Sequence, residues 1–362
     1  MIFNVLEEIS SIVRRPLFFT TQEQRHSLDN MHTCRTIERG GRILECPNCT
    51  TRSVVFNPCN NRGCPECYRR NQILWKEKVQ KKLIPTSHYH LVFSMPQAYV
   101  ITWLRNKNRV MNCMFKIVNK VITELSNEFG LLMGCVLSFQ SHGRGMCYKP
   151  HMHCILSAGG LNDKNEWIEI GTIRYTQIED RFHYLMYREL ALQIAVESLP
   201  VTKDIDNTEW HVHPEYHEKT GNHIAGYLSH TSCGAVINLK QSFQINGEKI
   251  PFTEMHNGKE LKTELLRTTF VERYLNHIPP SGAVTVRYYG LYSNKNSERL
   301  KEAKKKFPVN NIEVEKEEIV DLCPECFSRM KVVLLFPADT SIEYIKMLCK
   351  QGPPAQYNVL IK

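Results

Sequence analysis

Hydrophobic and polar positions divide the chain into distinct stretches. Over residues 1–30, Ile2, Phe3, Val5, Leu6, Ile9, Ile12 and Val13 recur at roughly helical spacing, so one or two helices that pack on a neighbour are expected. From 31 to 70 this periodicity gives way to cysteines and charges. His88-Tyr89-His90-Leu91-Val92-Phe93-Ser94-Met95 is a short apolar run closed by Pro96 and reads as a buried strand. Residues 98–129 carry a helical pattern free of Pro and Gly. Leu131 to Gln140 and His151 to Ser157 read as two more strands, joined by a basic, glycine-containing loop over 141–150. A helix is expected over 180–198, a polar loop from Trp210 to Lys219, and a second helix starting near Gly221 and running through Leu228. Short strands follow Cys233, with a turn at Asn246-Gly247, and Val284 to Tyr289 reads as a further strand. Residues 295–318 are rich in Lys and Glu, as in a solvated helix or a linker.

The order strand, helix, strand, strand, helix, strand over 88–292 fits an α+β fold built on a split βαβ, ferredoxin-like sheet. Three regions are expected: 1–85, a helical lead-in and cysteine-rich module; 86–295, the sheet domain; and 296–362, a charged linker and tail. The 362 residues are enough for two or three domains with cores of their own. No run of about 18 apolar residues suggests a membrane span. Met1 to Arg15 carries Glu7 and Glu8 and lacks a basic start, so no signal peptide is expected and the chain reads as cytoplasmic. The net charge of +9 suits a polyanionic partner.

Fourteen cysteines are many for a reducing compartment, where clustered thiols are more often metal ligands than disulfides. Cys46-Pro-Asn-Cys49 and Cys64-Pro-Glu-Cys67 are two knuckles separated by 14 residues, and two such knuckles complete a tetrahedral Zn²⁺ site. Cys34 and Cys59 remain as further ligands or buried thiols. Cys323-Pro-Glu-Cys326 is a third knuckle and a weaker zinc candidate, and Cys349 stands alone. Between 31 and 85, eleven Lys and Arg residues, among them Arg62, Arg69 and Arg70, face four Glu residues, a balance suited to gripping phosphates.

Pro150-His151-Met152-His153 opens one of the expected strands. Residues i and i+2 share a face of a strand, so His151 and His153 present two imidazoles side by side. Gln140 ends the preceding strand and becomes their neighbour across the hairpin. The three side chains can serve as ligands to one metal ion, which beside a phosphodiester would offset transition-state charge. Tyr227, after an Ala-Gly pair, is the candidate nucleophile; with a free pKa of about 10 it needs a metal or a base to react as phenolate. His223 lies one helical turn before it. His211-Val212-His213 repeats the two-histidine pattern without an apolar strand behind it and ranks below 151/153.

At these residues the chain resembles the rolling-circle insertion-sequence transposases of the HUH class, those with an N-terminal zinc-binding domain, related to the common-region (ISCR) elements. The likeness runs over roughly residues 20–300. It is carried by Cys34-Arg-Thr with Gly40-Gly41, Cys46-x-x-Cys49, Asn57-Pro-Cys59-Asn-Asn-Arg62-Gly-Cys64-Pro-x-Cys67 and His90-Leu-Val-Phe-Ser-Met-Pro96. It continues through Phe139-Gln140-Ser-His-Gly143, Pro150-His-Met-His-Cys154, Tyr227-Leu228 and Val286-Arg-Tyr-Tyr-Gly290. The resemblance implies cleavage and rejoining of single-stranded and hairpin DNA at element ends through a 5′-phosphotyrosine at Tyr227. It also implies Mg²⁺ or Mn²⁺ on Gln140, His151 and His153, and structural Zn²⁺ on the cysteines. Arg62, Arg69, Arg70, Arg144, Lys149 and Arg287 are the candidate DNA contacts, with Tyr148, Tyr288 and Tyr289 as stacking surfaces. Two departures stand out. Gly63 occupies the place of a histidine that many members carry in the zinc domain, and Thr231 the place of a second tyrosine in some relatives. A plasmid replication initiator or relaxase of the same chemistry, or a non-catalytic zinc DNA-binding regulator, are the alternatives.

Overall fold

The computed structural model describes residues 9, 11–13, 20–143, 146–195, 197, 199–200, 210–217, 226, 248–256, 259–307 and 321–350. Helix α1 (Gln22–His32) begins at Thr21, whose hydroxyl accepts from Gln24 N while the Gln24 side chain accepts from Thr21 N, a reciprocal cap of two otherwise orphaned amides. Strands β1 (Gly41–Glu45) and β2 (Arg52–Phe56) form a hairpin around the Cys46–Cys49 knuckle. Helix α2 (Pro65–Lys82) starts directly after Cys64 with Pro65 in its first turn, where a missing amide hydrogen costs nothing.

The larger sheet follows. Strand β3 (His88–Ser94) leads through α3 (Val100–Arg105) and α4 (Lys107–Glu128) to β4 (Leu132–His142) and β5 (Tyr148–Leu161). The short β6 (Trp167–Glu169) pairs with β5, and α5 (Tyr175–Gln193) then leads to β7 (His211–His217). A two-stranded hairpin, β8 (Lys249–His256) and β9 (Lys259–Leu266), precedes α6 (Arg267–His277), β10 (Val286–Gly290) and α7 (Ser297–Lys305). The tail adds β11 (Lys331–Phe336) and α8 (Ile342–Lys350).

The strand order is β10-β4-β5-β3-β7, and each neighbouring pair is antiparallel. β5 therefore lies between β3 and β4, the two strands that α3 and α4 join, and β3 lies between β5 and β7. This is the split βαβ arrangement expected from the sequence, with β10 added beyond β4. The α+β class is likewise observed.

β5 is buried along almost its whole length because both faces of the sheet are covered. On one face Met152, Cys154 and Leu156 join Leu91 and Phe93 of β3, and α4 and α5 close over them with Phe115, Val118, Phe182 and Met186. Burying each of these large side chains stabilises the fold by about 1.5–3 kcal/mol. The alternate residues His151, His153 and Ile155 turn to the other face. There Ile155 and Val136 pack with Val79 and Leu83, at the end of α2, and with Tyr292 and Leu300. The helix that leaves the cysteine module thus lies over the face that carries the histidines.

Two sequence expectations are corrected. Trp210 to Lys219 is not a loop over its described part: β7 pairs with β3 from Ser94↔His211 to His88↔His217. As an outer strand it needs few apolar residues. Trp210 and Val212 are its buried anchors, Trp210 packing 5.1 Å from Tyr99 and 5.5 Å from Phe182, ring centre to ring centre. The strand at 286–290 is consequently not the fourth strand of the ferredoxin-like set but a fifth, paired with β4. The tail strand β11 pairs with β1, from Gly41↔Phe336 to Glu45↔Lys331, giving a three-stranded sheet ordered β11-β1-β2. Among the described residues no helix is long and apolar enough to cross a membrane.

Candidate active site and metal-binding modules

The register of β4 against β5 sets Gln140 opposite His151, and Ser138 opposite His153. The Gln140 carbonyl oxygen Oε1 lies 3.0 Å from His153 Nε2, and the His151 and His153 rings stand edge to face at 4.8 Å. His151 Nδ1–H donates to the Lys149 carbonyl at 2.6 Å, which leaves Nε2 with a free lone pair. Burial holds His151 down to about 4, with the charges of Lys149 and His90 as smaller causes, and holds His153 well below its usual value, with His151 as a smaller cause. Both rings are therefore neutral near pH 7, the form that binds metals.

A divalent ion with octahedral ligands at 2.0–2.1 Å sets neighbouring donors about 3.0 Å apart, the separation seen between Gln140 Oε1 and His153 Nε2. One amide oxygen and two neutral imidazoles make a mixed donor set for a divalent cation, the imidazoles suiting borderline ions and the oxygen harder ones such as Mg²⁺ or Mn²⁺. Ligation through His153 Nε2 requires the proton on Nδ1, and His90 Nε2 lies 2.9 Å from that atom to accept it. Beyond Gln140, its amide nitrogen lies 3.2 Å from His142 Nε2. His277 continues the buried set: its Nε2–H donates to the Met146 carbonyl at 2.9 Å and its Nδ1 accepts from Ser141 at 3.1 Å. His90 is missed by the sequence reading, although His88-Tyr89-His90 shows the same i, i+2 spacing as 151/153.

A cleft of about 420 Å³ opens beside Gln140 and His142, with Arg62, Trp75, Trp103 and Lys107 among its lining. Arg62 of the cysteine module reaches across to Thr285, its Nη1 donating to Oγ1 at 3.1 Å. Lys107 donates to the Asn276 carbonyl at 2.8 Å, and burial lowers it to about 8 against the opposing pull of Glu23. Of the other expected DNA contacts, Lys149 is exposed at the start of β5. Arg287 is directed to the α4 face, where it donates to Asn112 and lies 4.1 Å over the Phe115 ring, away from the histidines. Arg69 and Arg70 lie on α2, but their side chains, like Arg144, are outside the described residues. Tyr288 sits under Lys82 at 4.4 Å and packs between β10 and α2. Tyr227, His223 and Thr231 are also outside the described residues. Gly226 is described, and a Cβ built on it would lie 4.0 Å from Lys76 of α2, the helix over the histidine face.

The cysteines group differently from the sequence expectation. Cys64 and Cys67 meet Cys34 and Cys59, whereas Cys46 and Cys49 meet Cys323 and Cys326. Spacing along the chain suggested that the first two knuckles would share an ion, but β1 and β2 carry the 46/49 turn away from the start of α2. In the first group Cys34 and Cys59 each approach Cys67 Sγ at 3.6 Å, and backbone amides of Cys59 and Asn61 point at sulfurs at 3.4 Å. Donation from Cys34, Cys59 and Cys64 pushes the Cys67 thiol down, and the N-terminus of α2, where Cys67 sits, also favours its thiolate. Cys34 is lowered as well, whereas contacts with the other cysteines push Cys59 and Cys64 up. Four sulfurs within 4.8 Å of one another fit a structural Zn²⁺. Gly63 supplies no ligand, and its carbonyl instead accepts from the buried Tyr274 hydroxyl of α6 at 2.9 Å.

A family model described as a transposase zinc-binding domain matches residues 8–95, and one described as a putative transposase matches 134–299. A putative transposase of Sinorhizobium fredii is 24% identical over 302 residues, covering 76% of each chain. The transposase for insertion sequence element IS801 of Pseudomonas savastanoi pv. phaseolicola is 21% identical over 290 residues, 74% of this chain and 70% of its own. The solved N-terminal nuclease domain of minute virus of mice non-structural protein 1 aligns with 65% of this chain and 98% of its own, at 10% identity and a TM-score of 0.25, too loose a superposition to bear on the site. With a cysteine module that fits zinc, a split βαβ domain behind it and matches to both, the chain is similar over most of its length to the zinc-binding insertion-sequence transposases of the IS91 type.

Proposed function

We propose that this transposase cuts and rejoins single-stranded DNA at the ends of its insertion sequence by rolling-circle chemistry, with Tyr227 as the nucleophile. The observation that supports this most is the pairing of Gln140 Oε1 with His153 Nε2 at 3.0 Å, with His151 on the same sheet face. A Mg²⁺ or Mn²⁺ ion held there would withdraw charge from a scissile phosphate and favour a phenolate.

The chain's own groups do the rest. His90 keeps the His153 proton on Nδ1. Lys149 O fixes the His151 tautomer. Arg62 and Lys107 line the cleft with positive charge for the phosphates of the strand. The Tyr227 oxygen bonds to phosphorus as the P–O3′ bond breaks, and the departing 3′ oxygen takes up a proton. The phosphodiester's energy is kept in the 5′-phosphotyrosine, so a later 3′-OH can attack it and release the tyrosine without a nucleotide triphosphate. Thr231 stands where some relatives have a second tyrosine, so one chain would hold one DNA end at a time through this motif. Gly226, which precedes Tyr227 in the chain, lies beside Lys76 of α2, the helix over the histidine face.

The test uses a labelled hairpin-bearing single strand from the element's end, incubated with the purified protein and Mn²⁺. A covalent adduct is expected on a denaturing gel, absent with EDTA and absent in Tyr227→Phe. An adduct that survives in Tyr227→Phe overturns the choice of nucleophile.

A further inference from the structure

Neither matched stretch contains the whole second cysteine group, since 8–95 holds only two of its members and 134–299 ends before the others. We infer that Cys46, Cys49, Cys323 and Cys326 bind a second Zn²⁺, which joins the tail of the chain to its N-terminal module as the two halves of one zinc ribbon. This does not rest on the proposed DNA chemistry.

The sulfur geometry comes first. Cys46 to Cys326 and Cys49 to Cys323 are 3.4 Å, and Cys49 to Cys326 is 3.6 Å. A tetrahedron with Zn–S of about 2.3 Å has edges of about 3.8 Å, while a disulfide closes to about 2.0 Å. All four sulfurs fall within 4.8 Å, so they surround one point rather than pairing off.

Independent support comes from an internal repeat. Cys46-Pro-Asn-Cys49-Thr-Thr-Arg52 and Cys323-Pro-Glu-Cys326-Phe-Ser-Arg329 share the pattern Cys-Pro-x-Cys-x-Thr/Ser-Arg. They also share one backbone turn. Cys46 N donates to Thr51 O at 2.9 Å and Thr50 N to Cys46 O at 3.0 Å; Cys323 N donates to Ser328 O and Phe327 N to Cys323 O, both at 2.9 Å. The residue after each second cysteine, Thr50 and Phe327, has φ 57°, an uncommon conformation for a side-chain-bearing residue. Such a turn directs two sulfurs to one side. Asn48 Nδ2 donates to Ser328 Oγ at 2.8 Å, linking the two turns directly. Each turn adjoins a strand of the same small sheet, β2 after the first and β11 after the second, with β1 between them. Two knuckles of one design, 277 positions apart, thus face each other across a sheet that their own strands build.

The experiment measures zinc per chain in the full-length protein, by native mass spectrometry and by release to a chromophoric chelator. Two zinc ions per wild-type chain are expected, and one in the Cys323→Ser/Cys326→Ser double variant. Because that variant can fail to fold, alkylation of the wild-type protein is followed in parallel. Cys326 is exposed, yet as a zinc ligand it should resist N-ethylmaleimide until chelator is added and then react together with Cys49. A single zinc in the wild-type chain, two retained by the double variant, or a Cys326 that alkylates equally fast before and after chelation overturns the site.

Discussion

His153 is the residue on which the candidate metal centre turns, because each of its ring nitrogens has a different neighbour: Gln140 on one side and His90 on the other. Removing the outer partner should cost metal rather than fold. His90→Ala is expected to weaken Mn²⁺ binding by about 10–100-fold, as outer partners of ligating histidines generally do. Isothermal titration measures it, and an unchanged affinity would assign His90 to packing alone. Lys107 gives a second expectation. Burial lowers it to about 8, so it is charged below that pH and neutral above; Glu23 opposes the shift, and the nearby His277 is held neutral. Affinity for single-stranded DNA should therefore drop between pH 7 and 9, and in Lys107→Arg, whose guanidinium stays charged, the drop should shrink. A fluorescence-anisotropy series across that range checks it, and identical pH profiles for the two proteins would remove Lys107 from the interface. The inner residues Gln140, His151 and His153 were legible because strand alternation and a hairpin suffice to bring them together. His142, His277 and Lys107 were not, since their proximity depends on how separate strands and helices pack.

At the scale of elements, β3, β4 and β5 were readable as apolar runs because strands covered on both faces have little choice of composition. β7 was not, since His211-Val212-His213-Pro214-Glu215-Tyr216-His217 carries no apolar run and its place is fixed by pairing with β3. The knuckles carry the same lesson: each spacing marks a zinc half-site, but which halves meet is decided by β1, β2 and β11, not by distance along the chain. The β4 strand also has a steric requirement. A Cβ at Gly134 would lie 2.6 Å from the Tyr292 ring, whose hydroxyl is held 2.7 Å from His88 Nε2. Gly134→Ala should destabilise the protein by about 1–3 kcal/mol through overpacking. Denaturant unfolding reads this directly, and an unaltered midpoint would mean that the ring moves freely aside.

For the whole molecule, the cysteine modules and the sheet form a connected body rather than separate beads. α2 runs from the first cysteine group onto the histidine face, α6 ties its Tyr274 to Gly63 beside that group, and Arg62 reaches the cleft. Zinc-held structure therefore sets one wall of the space next to Gln140. With a net charge of +9, DNA binding should weaken steeply with salt, since each phosphate neutralised contributes about −0.7 to the log–log slope for a single strand. A salt titration checks it, and a flat response would argue against backbone contacts. The chemistry itself is tested most directly by mapping the covalent adduct. Wild-type protein is trapped on 5′-flank-labelled element-end DNA with Mn²⁺, digested, and sequenced by mass spectrometry. A nucleotide joined through its 5′ phosphate to the peptide containing Tyr227 is the expected result; an adduct on any other residue, or one joined through a 3′ phosphate, contradicts it.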